Sequence, residues 1–114
     1  MTPNEYQQLA LRTEPEKIKN AGMVARLDQG VLGLCGEAGE CADLFKKYMY
    51  QDHNLDREHM AKELGDVAWY LAVAADAIGC TLEYIFELNI NKLKARYPDG
   101  FEADKSLHRA EGDI

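Results

Sequence analysis

Four acidic side chains, arranged in two pairs, are the residues of this sequence best suited to chemistry. Glu37 and Glu40 lie three apart in GLCGEAGECADL, and neither has a lysine or arginine within four residues. Glu63 and Asp66 repeat that spacing in KELGDVAWY. Carboxylates within about 4–6 Å raise one another's pKa, so four of them together call for a cation. Mg²⁺ suits such a site, because it accepts carboxylate ligands and keeps positions open for water and phosphate oxygens.

Helices must carry both pairs. Hydrophobic periodicity predicts four helices and no strand. Three of them cover residues 2–12, 23–50 and 81–97, and the third in chain order starts after residue 54 or 56 and runs to about residue 78. Caps are expected at Thr2, at Thr81, and at either Asn54 or Asp56. Residues 13–22 and 98–114 are expected to be irregular. Because short connections favour antiparallel neighbours, the predicted fold is all-α: one domain over 1–114, a small four-helix bundle with a long antiparallel hairpin.

The predicted hairpin brings the two acidic pairs to the same height. Each acidic residue directly precedes an apolar core position, so each pair flanks the apolar face of its helix. If the chain reverses near residue 52, Glu37 lies level with Asp66, and Glu40 with Glu63. Two interpretations remain open from the residues alone. The pairs form a shared metal site, or they are solvated acidic faces with ordinary ion pairs, for example at Lys62.

Composition limits the class of protein. The 114 residues are 46% hydrophobic and 29% charged, which is typical of a soluble globular domain. A net charge of −7 argues against binding to nucleic acid or to an anionic membrane. The polar start MTPNEYQQLA and the lack of a long apolar run favour a cytoplasmic protein. The three cysteines and three histidines show no ligand spacing, so we expect core cysteines and surface histidines.

The sequence resembles the MazG-like family of all-α nucleoside triphosphate pyrophosphohydrolases. Three blocks carry the resemblance in order, within about residues 30–101: GLCGEAGECADLFKK, KELGDVAWYLAVAADAIGCTLEYIF and NINKLKARYPDGF. The resemblance implies hydrolysis of a nucleoside or deoxynucleoside triphosphate between the α and β phosphates, giving a nucleoside monophosphate and pyrophosphate. It also implies dependence on Mg²⁺ with Mn²⁺ as a possible substitute, a homodimer or homotetramer, and a role in cleansing nucleotide pools.

Residue roles follow from the resemblance together with the spacing. We expect four acids to bind the metal and carry out catalysis: Glu37, Glu40, Glu63 and Asp66. One of the glutamates would also orient or deprotonate the attacking water. Substrate binding is expected from two further groups of side chains. Polar and basic residues would meet the phosphates: Lys47, Asn89, Lys92 and Arg96. Aromatic residues would contact the base: Trp69, Tyr70 and Tyr97.

Rival functions stay open. A helical interaction module that lost its chemistry would keep the bundle without binding metal. A related metal-dependent phosphohydrolase would use the same scaffold on another nucleotide. A di-iron carboxylate bundle is disfavoured, because no acid of the four has a histidine three residues later. Self-assembly is expected in any case, because the second helix carries Phe45, Tyr48, Met49 and Tyr50, more apolar surface than one hairpin covers.

Overall fold

The regular structure of the chain is six α-helices and no strand, in a computed structural model that describes all of residues 1–114. In chain order they are α1 (Pro3–Leu11), α2 (Glu16–Lys19), α3 (Met23–Tyr50), α4 (Arg57–Ala77), α5 (Leu82–Arg96) and α6 (Ala103–Leu107). The all-α prediction is confirmed. The two short helices α2 and α6 correct the expectation that residues 13–22 and 98–114 are irregular. Each is too short to display a 3.6-residue apolar period, so periodicity could not reveal it.

Side-chain caps fix where the longer helices begin. The Thr2 hydroxyl accepts a hydrogen bond from the Glu5 N–H at 3.1 Å, and the Glu5 carboxylate accepts one from the Thr2 N–H at 3.3 Å. This reciprocal pair is a capping box. Thr81 caps α5 in the predicted way. Of the two candidates for α4, the cap is Asp56, whose carboxylate accepts from a backbone N–H at 3.0 Å.

The predicted hairpin of α3 and α4 is present, and two glycines of α3 allow its close packing. A Cβ added at Gly30 would lie 2.9 Å from the Ala74 Cβ. One added at Gly33 would lie only 2.1 Å from a ring carbon of Tyr70. Neither position therefore accommodates a side chain without movement of α4. The close approach lies one to two turns before Glu37, so it fixes how the first acidic pair meets the second helix.

A buried glutamine docks α1 onto the junction between α4 and α5. The Gln7 amide donates to the Ala72 carbonyl at 3.2 Å and to the Cys80 carbonyl at 3.1 Å, and it accepts from the Leu82 N–H at 3.1 Å. Only 2% of Gln7 is exposed. Around it lies a small apolar core, formed by Ala10, Ala72, Ala75 and Leu82. One buried side chain thus bonds to three backbone groups, and this joins α1 to α4 and to the start of α5.

An ion-pair cluster attaches the segment before α3 to the hairpin. Arg26 Nη2 lies 2.7 Å from Asp76 Oδ2 and 3.1 Å from Glu14 Oε1. The Glu14 side chain is fully buried and that of Arg26 is 13% exposed. A buried carboxylate is costly unless it is paired. Arg26 therefore stabilises the connection between α1 and α3 in this position.

Much apolar surface remains open to solvent in a single chain. Only nine residues are buried. The Cα radius of gyration is 17.1 Å, against about 13 Å for a compact domain of this length. Exposed large side chains include Phe45 and Tyr48 on α3, and Phe86, Leu88 and Ile90 on α5. No helix combines the length and the apolar character that crossing a membrane requires.

Candidate functional site

Three carboxylates from the two hairpin helices meet at one place. Glu37 extends from α3, and Glu63 and Asp66 extend from α4; one oxygen of each lies within 4.8 Å of the other two. Glu40, expected in the same group, is exposed and lies outside it. A three-residue step turns a side chain by about 60° on a helix, and the way α3 faces α4 brings both members of the α4 pair to the group but only Glu37 of the α3 pair. The structure therefore brings together three of the four acids predicted from the sequence.

We call Glu37, Glu63 and Asp66 the acidic cluster. The negative charges of its members repel one another. The pKa of Glu37 is raised above its ordinary value of 4.5, first by partial desolvation and then by the negative charges of Asp66 and Glu63. Glu40 adds a smaller repulsion. No lysine or arginine pairs with any member of the cluster. A bound cation would offset this repulsion and favour the ionised form of the Glu37 carboxylate.

One contact of the acidic cluster was missed from the sequence. His59 Nε2 lies 3.1 Å from Glu63 Oε1, and half of the His59 side chain is exposed. The signal was present, because His59 precedes Glu63 by four residues and such pairs share a helix face. His59 is exposed, as expected for a surface histidine. Its ring nonetheless orients the Glu63 carboxylate from the loop side.

Two aromatic side chains border the acidic cluster. Glu37, Asp66, Trp69 and Tyr70 line an open cavity of about 330 Å³. The two aromatic rings meet edge to face, with centroids 4.9 Å apart and an interplanar angle of 83°. The Trp69 indole N–H donates to the Thr13 hydroxyl at 2.7 Å and to the Ala10 carbonyl at 3.1 Å. Contacts with both α1 and α3 therefore hold this aromatic wall in place.

The predicted phosphate ligand on α3 is paired elsewhere. Lys47 Nζ lies 2.8 Å from Asp43 Oδ2. The neighbouring Lys46 binds the other oxygen of the same carboxylate at 3.0 Å. Lys47 lines a cavity of about 310 Å³ beside the α3–α4 connection, together with His53 and His59. The ammonium group of Lys47 is thus held by an acid one turn earlier on the same helix.

The predicted phosphate ligands on α5 lie apart from the acidic cluster within one chain. Lys92 and Arg96 line a cavity of about 600 Å³ closed by residues 105–114. Asn89 is exposed on the same helix. Tyr97 packs against Phe101, with ring centroids 5.3 Å apart. None of these residues lines the cavity of Trp69 and Tyr70.

Comparison with known proteins agrees with the geometry. The family described as MazG nucleotide pyrophosphohydrolase domain matches residues 28–101. The chain is also similar to the Gene 37 protein of Mycobacterium phage L5, at 37% identity over 86 residues, which cover 72% of this chain and 70% of that protein. No solved structure matches the chain. The family match includes all four predicted acids, and it confirms the resemblance deduced from the motifs: the chain belongs to the MazG nucleotide pyrophosphohydrolase domain family.

Proposed function

We propose that this protein is a metal-dependent pyrophosphohydrolase that cleaves nucleoside or deoxynucleoside triphosphates between the α and β phosphates. The products would be a nucleoside monophosphate and pyrophosphate, and the role would be the cleansing of nucleotide pools. The observation that carries the proposal is the acidic cluster beside the aromatic wall of Trp69 and Tyr70. Membership of the family supports the reaction class.

The residues of the acidic cluster fit a hard divalent cation. Oxygen ligands of an octahedral Mg²⁺ ion are separated by roughly 3–4 Å. The three carboxylate oxygens lie within 4.8 Å of one another, so small rotamer changes would bring them to that spacing. An all-oxygen donor set with the site open to solvent favours Mg²⁺, and Mn²⁺ as a substitute, over metals that prefer nitrogen or sulfur ligands. Glu40 would join as a fourth ligand, because its exposed side chain is free to turn toward Glu37.

Each side chain would then have a distinct task. A divalent cation at this site would neutralise phosphate charge and polarise the phosphorus that is attacked. Glu37, Glu63 and Asp66 would hold that cation on the hairpin. A glutamate oxygen not engaged by the cation would orient or deprotonate the attacking water. His59 would hold Glu63 in its position, because it already contacts one of the two carboxylate oxygens.

The aromatic wall would contact the base of the nucleotide. Tyr70 lies close to Asp66 and borders the same open cavity as Trp69. A nucleobase offers a flat apolar face that stacks on such rings. Tyr70 is the better candidate for stacking, because the Trp69 indole N–H is already bonded to α1.

Assembly from at least two copies is part of the proposal. Lys92 and Arg96 line a cavity separate from that of the acidic cluster in the same chain. A second copy could bring its own α5 to the cluster. The exposed apolar side chains of α3 and α5 support such an interface, since monomers rarely leave large apolar patches open. Sedimentation at micromolar concentration should give a dimer or tetramer, and a monomer would contradict this part.

Product analysis tests the reaction. With Mg²⁺ and a panel of canonical and modified deoxynucleoside triphosphates, the protein should release pyrophosphate and a nucleoside monophosphate. Glu37→Gln and Asp66→Asn should each lower kcat by about a hundredfold or more, as losses of charge stabilisation do. Glu58→Gln is the matched control, because Glu58 lies on α4 but pairs with Lys62 at the surface.

Two outcomes would favour the rival functions. Release of orthophosphate, or activity only on dinucleotides or nucleoside diphosphate derivatives, would indicate a related phosphohydrolase with another substrate. Absence of both hydrolysis and metal-dependent binding of a non-hydrolysable triphosphate would indicate a helical interaction module.

A further inference from the structure

The last residues of the chain fold back onto a side chain of α5. Arg96 donates two hydrogen bonds to the Asp113 carboxylate, one from Nε to Oδ2 and one from Nη2 to Oδ1, each of 2.7 Å. The Arg96 side chain is 9% exposed and that of Asp113 is 15% exposed. A planar, two-bond pairing of this kind is the geometry in which a guanidinium group also binds a phosphate.

Basic side chains gather around this carboxylate. Lys92, Lys105 and His108 line the same cavity of about 600 Å³ as Arg96 and Asp113. The positive charges of Arg96, Arg109 and Lys92 all lower the pKa of Asp113, with the Arg96 hydrogen bonds as the largest cause. The stretch from Lys92 to Arg109 holds five of the 13 lysines and arginines in a chain of net charge −7. Lys105 also pairs with Glu102 at 3.3 Å, and His108 Nε2 lies 3.8 Å from Asp104. Lys92 has no acid partner in an ion pair, so Lys92 and Arg96 are the cations best placed to hold an anion once Asp113 leaves.

The tail (residues 98–114) has few other attachments. No other hydrogen bond joins residues 101–114 to residues 1–97. An aromatic contact between Tyr97 and Phe101 secures its beginning. Asp113 also lies beyond the part of the chain that the family match covers, whereas Arg96 lies within it. The Arg96–Asp113 ion pair is therefore the main polar attachment of the end of the tail to the helices.

We propose that Arg96, Lys92, Lys105 and His108 form a binding site for a pyrophosphate-like oxyanion, and that the Asp113 carboxylate occupies this site until such an anion displaces it. The tail is then an internal competitor for phosphate. That this competition controls the access of substrate or product phosphates to Arg96 rests on the proposed function. The binding itself requires neither metal nor hydrolysis, so its test is independent of the hydrolase activity.

Calorimetric titration of the full chain with inorganic pyrophosphate in EDTA tests the site, because EDTA keeps the acidic cluster free of metal. Asp113→Asn removes the competing charge with little change of shape, and it should bind pyrophosphate about tenfold more tightly than the wild type. Glu111→Gln is the matched control, since Glu111 lines the same cavity without bonding to Arg96, and it should change the affinity by less than about twofold. Arg96→Gln should bind far more weakly.

Two results would overturn the proposal. One is an Asp113→Asn protein that binds pyrophosphate no more tightly than Glu111→Gln. The other is an Arg96→Gln protein that binds like the wild type. A parallel titration with a deoxynucleoside triphosphate distinguishes the source of the anion. A gain for both ligands indicates a site for substrate phosphates, a gain for pyrophosphate alone indicates a product site, and a gain for neither refutes the inference.

Hydrogen exchange of the wild-type chain provides a second measurement that needs no variant. Addition of pyrophosphate should speed amide exchange in residues 103–114, because displaced Asp113 releases the end of the tail. Unchanged or slower exchange there would show that the anion and Asp113 do not compete.

Discussion

Gly33→Ala should displace the aromatic wall beside the acidic cluster. The added Cβ would lie 2.1 Å from Tyr70 Cε1 and 2.2 Å from its Cδ1, whereas ordinary van der Waals contact begins at 3.4 Å. The Tyr70 ring must therefore move by more than about 1 Å, or the two helices must separate by a similar distance. Its edge-to-face contact with Trp69 leaves little room for the ring to turn aside.

The magnitude follows from two opposing effects. Replacing glycine by alanine within a helix stabilises it by about 0.5–1 kcal/mol. Overpacking of this kind destabilises by about 1–3 kcal/mol. Gly36→Ala is the matched control one turn later on α3, where an added Cβ meets nothing within 4 Å. We expect Gly36→Ala to be more stable than the wild type, and Gly33→Ala to be about 1–3 kcal/mol less stable than Gly36→Ala.

Urea unfolding followed by circular dichroism measures that difference, and the near-ultraviolet spectrum reports the environment of the two aromatic rings. Gly33→Ala should also raise KM for nucleotide more than Gly36→Ala does, because Tyr70 borders the cavity in which the base is proposed to lie. Equal free energies of unfolding for the two variants, with an unchanged aromatic spectrum, would refute the close contact between α3 and Tyr70.

Three further predictions concern stability. Gln7→Ala leaves three backbone groups without their side-chain partner and should lower the free energy of unfolding by about 1–3 kcal/mol; the exposed Gln8→Ala should change it by less than about 0.5 kcal/mol in urea unfolding. Trp69→Phe loses the indole hydrogen bond to Thr13 and should cost about 1 kcal/mol by the same assay. In the metal-free protein, folding raises the pKa of Glu37 above 4.5, so the folded state binds its proton more tightly than the unfolded state does. Stability should therefore fall as pH rises from about 4.5 through that raised pKa, and thermal unfolding of Glu37→Gln should show a smaller fall; an equal fall in both proteins would contradict the assignment.

The long helices could be predicted because their signals are local. The caps at Thr2, Asp56 and Thr81 need only neighbouring backbone groups, and apolar periodicity extends over many turns. That the two acidic pairs lie at the same level along the hairpin could be predicted by counting residues from the chain reversal. Three acids of the four meet accordingly, whereas the rotation of Glu40 away from the group depends on the angle at which the helices face each other.

Partners distant in sequence were not predictable. Arg96 resembles a free phosphate ligand in the sequence, but the path of the tail brings Asp113 onto it. Lys47 likewise resembles a free phosphate ligand, but Asp43, four residues earlier on the same helix, pairs with it. The four glycines of α3 look alike in the sequence, yet only Gly30 and Gly33 face α4 closely. The outcomes at Arg96 and at the glycines depend on which surface a neighbouring element covers, whereas the pair of Lys47 with Asp43 is local to α3 and follows the four-residue spacing of one helix face.

Titration of the metal-free protein with Mg²⁺, followed by the fluorescence of Trp69, tests the acidic cluster most directly. Trp69 is the single tryptophan of the chain and lines the same cavity as Glu37 and Asp66. We predict a saturable change in its emission together with a higher Tm, since a ligand that binds only the folded state stabilises it. Both effects should be lost in Asp66→Asn and kept in Glu58→Gln. An unchanged emission and Tm in the wild type, or an equal response from Asp66→Asn, would contradict a cation site on the hairpin.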